Sequence, residues 1–155
     1  TIEPGKIYGL IGRNGIGKTT LLSIMTGQNT CDSGSVTYGG MRVWENEKAV
    51  SQICFSRELS PTMLFGQNTL RVKEYFKMAS CYYPAWDAEY AERLTKEYGL
   101  DLKKKVCKMN KGMMSMVTIT LALASRAPIT ILDEPVAGLD VYMRDRFYDL
   151  LLADY

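Results

Sequence analysis

Two short stretches carry residues whose types and spacing can do chemistry. The first is Gly12-Arg13-Asn14-Gly15-Ile16-Gly17-Lys18-Thr19-Thr20. It has the phosphate-loop spacing of glycine, four residues, then Gly-Lys-Thr. Glycines let the backbone wrap a phosphate closely, so that successive N–H groups point inward. A helix that opens at the end of the loop adds the partial positive charge of its N-terminus. Lys18 would reach the β- and γ-phosphates as a point charge from an exposed position, and the Thr19 hydroxyl would sit on Mg²⁺. The second stretch is Asp133-Glu134, directly after the apolar run Ile129-Thr130-Ile131-Leu132. A carboxylate at a strand end can hold Mg²⁺ directly or through water. Glu134, one residue on, points differently and can orient the water beyond a γ-phosphate and take its proton. Alone, the first stretch could be a plain glycine turn and the second a pair of carboxylates capping a turn. Together they argue for nucleotide chemistry.

The elements around these stretches can position them. Lys6-Ile7-Tyr8-Gly9-Leu10-Ile11 reads as a short buried strand feeding the loop, and 19–26 as a helix that stops at Gly27. Ser33-Gly34-Ser35 is a turn. Val36-Thr37-Tyr38 and Met41-Arg42-Val43 flank Gly39-Gly40, a hairpin signal. A short helix falls within 45–50, a strand at 52–56 and a loop over 57–68. A helix over 69–81 follows, with Val72, Tyr75, Phe76 and Ala79 at helical spacing. After a break at Tyr82-Tyr83-Pro84-Ala85-Trp86, Asp87 caps a helix that ends at Gly99. The run 100–109 is a basic connector, and the lysines in it read as a solvated face. Asn110 begins a mostly buried helix that Ala127-Pro128 stops. The apolar, β-branched run 129–132 has the character of a central parallel strand. A last helix shows Met143, Phe147, Leu150 and Leu151 on one face.

Composition narrows the class. At 46% hydrophobic and 23% charged residues, the chain has the make-up of an ordinary soluble globule. A net charge of +2 gives no push toward nucleic acid. Cys31, Cys54, Cys81 and Cys107 form no C-x-x-C pair and read as reduced thiols, while the absence of histidine removes the commonest metal ligand and general base. The longest uncharged run, 112–125, is too short and too rich in Ser and Thr to cross a bilayer. The chain opens just before Glu3-Pro4-Gly5 and closes inside an amphipathic pattern, so both ends read as cut from a longer domain.

With both chemical stretches placed, the chain resembles the nucleotide-binding domain of an ABC transporter. Gly12-x-Asn14-Gly15-x-Gly17-Lys18-Thr19-Thr20 is similar to that family's phosphate loop. Ile129 to Pro135 resembles its Walker B segment, and Ala137-Gly138-Leu139-Asp140 its D-loop. Ser33-Gly34-Ser35-Val36 resembles the turn before its small β-subdomain. Met109-Asn110-Lys111-Gly112-Met113 stands in the place of its signature, in a form most like short bacterial ATPase subunits of the bacitracin-export type. The resemblance implies an α/β fold: a P-loop NTPase (RecA-like) core over 1–58 and 110–155, a small β-subdomain, and an inserted helical subdomain over about 59–109.

The resemblance also implies site residues. ATP would be bound by Asn14, Gly15, Gly17, Lys18, Thr19, Thr20 and Asp140, and in trans by Asn110 and Gly112. Glu134 and Lys18 would be catalytic. Thr19 and Asp133, with Glu58 in the place of the Q-loop glutamine, would hold Mg²⁺; Gln52 and Gln67 are alternative Q-loop residues. The signature departs from the family at Asn110, which replaces a hydroxyl donor by an amide donor, at Lys111, which adds charge, and at Met113, which removes a polar contact. The family's adenine-stacking aromatic would lie upstream of Thr1 and its switch histidine beyond Tyr155.

The function implied is ATP binding and hydrolysis that powers a membrane transporter, an exporter. The partners implied are a separate transmembrane permease and a second ATPase subunit, identical or paired, with no nucleic acid. The place implied is cytoplasmic, peripheral on the inner face of the membrane. The rival readings are a soluble ABC-type ATPase acting on ribosomes or DNA, a phosphotransferase, and a nucleotide-gated regulatory subunit with weak turnover.

Overall fold

The computed structural model describes residues 1–57 and 70–154. Its elements run α1 (Lys18–Met25), β1 (Thr37–Tyr38), β2 (Met41–Arg42), α2 (Glu47–Val50), β3 (Ile53–Ser56), α3 (Val72–Tyr82), α4 (Ala88–Glu97), a 3₁₀ turn (Val106–Lys108), α5 (Lys111–Ala124), β4 (Ile129–Leu132) and α6 (Val141–Asp154).

The sequence's punctuation accounts for most boundaries. At the end of α1, Gly27 takes φ 71, and the N–H of Gln28 donates to the Ser23 carbonyl at 2.8 Å while that of Gly27 donates to Ile24 at 3.1 Å. This Schellman pairing satisfies carbonyls that the helix leaves open. Gly39 and Gly40, at φ 56 and 80, make the two-residue turn that pairs Thr37 with Arg42 and Tyr38 with Met41. Asn46, Asp87 and Asn110 each accept a backbone N–H of the helix they open, from Ala49, Tyr90 and Met113. α3 opens on Arg71, whose N–H donates to the Glu74 carboxylate at 2.8 Å.

β3 and β4 pair in parallel, Ile53 opposite Ile129 through Ser56 opposite Leu132. α5 packs across them and is buried along most of its length, over 114–120 and 122–124. One apolar core joins α5 with α3, α4 and α6. Val72, Leu94, Val106, Val117, Ile119 and Phe147 lie at its centre. The helices over 72–97 therefore share their core with the elements that carry the phosphate loop's partners. A smaller cluster of Val43, Ala49 and Ile53 seals the hairpin and α2. Burial pushes the thiol of Cys54, on β3, upward in pKa, and the nearby Tyr83 and Ser125 hydroxyls offset part of that rise. All four cysteines are free, as their spacing predicts.

Two expectations are corrected. Residues 6–11 form no strand, and Ile7, Tyr8, Leu10 and Ile11 are exposed, Ile11 by 95%. A strand is held by its ladder, and among the described residues this segment has no ladder partner, whatever its apolar content. For the same reason β4 is not a central strand here. Among the described residues it pairs with β3 alone, and all four of its residues are half-buried.

Candidate functional site

The loop at 12–17 leads straight into α1. Gly15 and Gly17 take φ 81 and 101, conformations that favour glycine, and a Cβ on either would meet nothing within 4 Å. Their need for glycine is thus conformational, and the loop's outer side is open for an anion to approach. Asn14 and Thr20 are exposed. Lys18 is half-buried rather than exposed, because its ammonium turns back over the loop. Nζ donates to the carbonyls of Gly12 at 2.8 Å and Arg13 at 3.1 Å.

Just past its last residue, Leu132, β4 delivers Asp133. Its N–H donates to the Ser56 carbonyl at 2.9 Å, extending the parallel ladder by one bond. Its Oδ2 accepts the Thr19 hydroxyl at 2.8 Å. The two stretches singled out by their chemistry, 114 positions apart, thus meet at one point. Glu134 follows Asp133 directly. It is exposed and has φ 49, a left-handed conformation that costs a residue with a Cβ roughly 1–2 kcal/mol. The N–H of Ala137 closes the turn onto the Glu134 carbonyl at 3.1 Å.

Thr19 and Asp133 supply a hydroxyl and a carboxylate oxygen, the hard donors that Mg²⁺ takes alongside nucleotide phosphates. The donor set therefore fits that ion. Glu58 and Gln67 lie outside the described residues. Gln52 is half-buried just before β3, where its carbonyl accepts the Ile129 N–H at 3.2 Å.

Asn110 and Gly112 stand at the start of α5. The Asn110 Oδ1 accepts the Met113 N–H at 2.8 Å, which leaves the amide NH₂ as its donating group. Gly112 packs on Gly138 of its own chain: a Cβ built there would lie 2.6 Å from the Gly138 carbonyl oxygen. Asp140 caps α6, accepting the Met143 N–H at 2.8 Å. Sequence reasoning did not single out Ser115, whose hydroxyl donates to the Ala137 carbonyl at 2.7 Å. A buried hydroxyl in a largely apolar helix was the available signal, one that Ser115 shares with Thr118 and Thr120.

The family model described as ABC transporter matches residues 1–137. The chain belongs to the ABC transporter ATP-binding family, a family of ATPases with a P-loop NTPase core. It is 30% identical over 154 residues to the ABC transporter ATP-binding protein YtrB of Bacillus subtilis, covering 99% of this chain and 51% of YtrB. Two relatives carry opposite directions in their names. The Nod factor export ATP-binding protein I of Burkholderia thailandensis is 30% identical, covering 97% of this chain and 50% of its own length. The ribose import ATP-binding protein RbsA of Chromobacterium violaceum is also 30% identical, covering 97% of this chain and 32% of its own length. A solved ATP-binding subunit of an ABC transporter superposes with a TM-score of 0.76 at 26% identity, over 93% of this chain and 61% of that one. The chain spans about half the length of the first of these curated relatives. Among the described residues, no helix is long and apolar enough to cross a membrane.

Proposed function

We propose that this chain binds ATP with Mg²⁺ and hydrolyses it to drive transport across a membrane, in the direction of export. The observation that carries the reading is the Thr19–Asp133 hydrogen bond of 2.8 Å, because it joins the phosphate loop to the carboxylate at the end of β4. Backbone N–H groups around Gly15 and Gly17, with Lys18, hold the phosphates. Thr19 and Asp133 hold the ion, which when bound neutralises charge on the phosphates. Lys18 exchanges its two carbonyl partners for phosphate oxygens. Glu134 orients the attacking water and takes its proton.

The start of α5 supplies the other half of the site to a second copy or a paired ATPase subunit. Asn110 donates its free amide toward the γ-phosphate held by the partner, and Gly112 lets the backbone approach. Closure excludes water, and hydrolysis reopens the pair. A separate membrane permease receives the motion, which places the chain on the cytoplasmic face. Export is supported by the likeness of the Asn-Lys-Gly-Met signature to bacitracin-export-type subunits. The test is phosphate release from MgATP by the whole protein, then ATP-driven transport by the protein with its permease in vesicles of known orientation. Turnover that Glu134→Gln abolishes is expected. A wild-type protein that binds ATP and releases no phosphate would leave it a regulatory subunit.

A further inference from the structure

The turn after β4 is seated on the start of α5 at a distance that only glycines permit. A Cβ on Gly138 would lie 2.7 Å from Lys111 Cγ and 3.1 Å from the Gly112 nitrogen, and one on Gly112 would lie 2.6 Å from the Gly138 oxygen. Gly138 also takes φ 79. Beside this contact, the buried Ser115 donates its hydroxyl to the Ala137 carbonyl at 2.7 Å. A helical serine commonly bonds back to a carbonyl of its own helix; here the bond crosses to another segment. The turn itself is closed by Ala137 N–H to Glu134 at 3.1 Å and Leu139 N–H to Val136 at 3.2 Å, with Leu139 buried beneath.

The same helix also reaches the other end of the segment. Ser56 Oγ donates to the Thr118 carbonyl at 3.3 Å, and the Ser56 carbonyl accepts the Asp133 N–H at 2.9 Å. α5 thus holds 133–138 at both ends: Asp133 through β3, and Ala137-Gly138 directly. Glu134 lies between these anchors, and its place is set by them.

We propose that Ser115, with the Gly112–Gly138 contact, is a positioning residue for Glu134. The clamp makes the start of α5 and the turn 134–140 move as one body. A displacement of the Asn110–Gly112 end by a partner's nucleotide is then delivered to the Glu134 carboxylate of the same chain. The proposal rests on the reading that Glu134 activates water for ATP hydrolysis. Ser115 touches neither phosphate nor ion in that reading, so its removal should act on turnover and spare binding.

The experiment uses the whole protein and three variants, Ser115→Ala, Ser115→Thr and Gly138→Ala. Turnover is read as kcat, and binding as the Kd of a non-hydrolysable ATP analogue with Mg²⁺. Misplacing a reacting group by about an ångström can cost on the order of 100-fold, so Ser115→Ala and Gly138→Ala should lower kcat roughly 10- to 100-fold with Kd nearly unchanged. Ser115→Thr, which keeps the hydroxyl, should recover most of kcat. Amide exchange gives a readout independent of turnover. In Ser115→Ala the Ala137 and Leu139 amides should exchange faster, while that of Asp133, held by Ser56, should not. If Gly138→Ala fails to fold, Ser115→Ala decides alone, because it removes a single oxygen. Wild-type kcat or unchanged exchange in Ser115→Ala overturns the clamp while leaving the ATPase reading intact. Absence of turnover in the wild type overturns that reading and the proposal together.

Discussion

The Thr19 hydroxyl donates to Asp133 Oδ2 at 2.8 Å, so the first turn of α1 and the end of β4 share one polar contact across 114 positions. Both groups are oxygen donors suited to Mg²⁺, and the carboxylate's charge is what the ion requires. Asp133→Asn keeps the shape and an acceptor for Thr19 but loses that charge. It should weaken nucleotide binding roughly tenfold or more when Mg²⁺ is present and change it little in the presence of a chelator. Titrations of a fluorescent ATP analogue under the two conditions measure this. Equal weakening in both would remove Asp133 from the ion.

Lys18 spends its ammonium on two loop carbonyls, Gly12 at 2.8 Å and Arg13 at 3.1 Å. These bonds are accessible to water, so Lys18→Ala should cost no more than about 1 kcal/mol of stability. ATP binding should be lost or nearly so, since Lys18 is the side chain that the phosphate-loop spacing assigns to the β- and γ-phosphates. Thermal melting and equilibrium binding on one preparation separate the two effects. Unchanged affinity would end the phosphate-loop assignment.

Gly27 closes α1 at φ 71, and a Cβ there would lie 3.2 Å from both Val43 Cγ1 and the Val43 oxygen and 3.4 Å from Val50 Cγ2. Gly27→Ala must therefore strain the backbone and press on the smaller core at once, at roughly 1–3 kcal/mol. Gly34 has φ 79 but nothing within 4 Å of a Cβ, so Gly34→Ala should cost only the backbone term, about 1 kcal/mol. Denaturant melts of the two variants should fall in that order.

These contrasts show what a sequence makes legible. Helix ends are written locally: Asp87, Asn110 and Gly27 each act within a few residues of their own position, and each does what its side chain, or lack of one, dictates. The two chemical stretches were legible because fixed spacing sets the loop and an apolar run sets the strand before Asp133. The segment 6–11 was misread because its apolar content is local while a strand's partner is not. The role of Ser115 was hidden for the same reason. Its acceptor, Ala137, lies 22 residues away, and the close approach of Gly112 to Gly138 appears only when α5 and the turn are docked. Glu58 falls outside the described residues, so its place at the site stays a proposal.

The junction of α4 with the end of α5 should respond to acid. Asp87 accepts the Tyr90 N–H at 2.9 Å, and its carboxylate pairs with Arg126 at 3.1 Å. The Tyr90 bond first, then the Arg126 guanidinium, hold the carboxyl below its ordinary pKa. A carboxyl depressed in the folded state adds stability above its unfolded pKa, near 3.9, and that contribution is lost as pH falls through the lower folded value. Asp87→Asn keeps an N-capping oxygen and loses the charge. The variant should melt below the wild type at neutral pH, and the gap should close as the pH drops below about 4. A gap that stays constant with pH would mean that the charge contributes nothing.

Glu134 holds a left-handed backbone, φ 49, at the sharp turn after β4, and is assigned to the attacking water rather than to the ion or the phosphate. Glu134→Gln is nearly isosteric, keeps an oxygen that orients water, and cannot take the proton. Loss of one general base typically costs 10²–10⁴-fold, roughly 3–5 kcal/mol of barrier. ATP should still bind, and the paired state it closes should persist instead of reopening. Asp133→Asn should behave differently, failing to pair because Mg²⁺-dependent binding itself is weakened. Adding Asn110→Ala to Glu134→Gln should loosen the trapped pair, because the Asn110 amide is assigned to the partner's γ-phosphate while its Oδ1 is already committed to Met113. Sizing chromatography of the whole protein with ATP and Mg²⁺ follows all three variants. A Glu134→Gln protein that binds ATP and stays monomeric would remove the shared site, and one that turns over at the wild-type rate would show that the water is activated by another group.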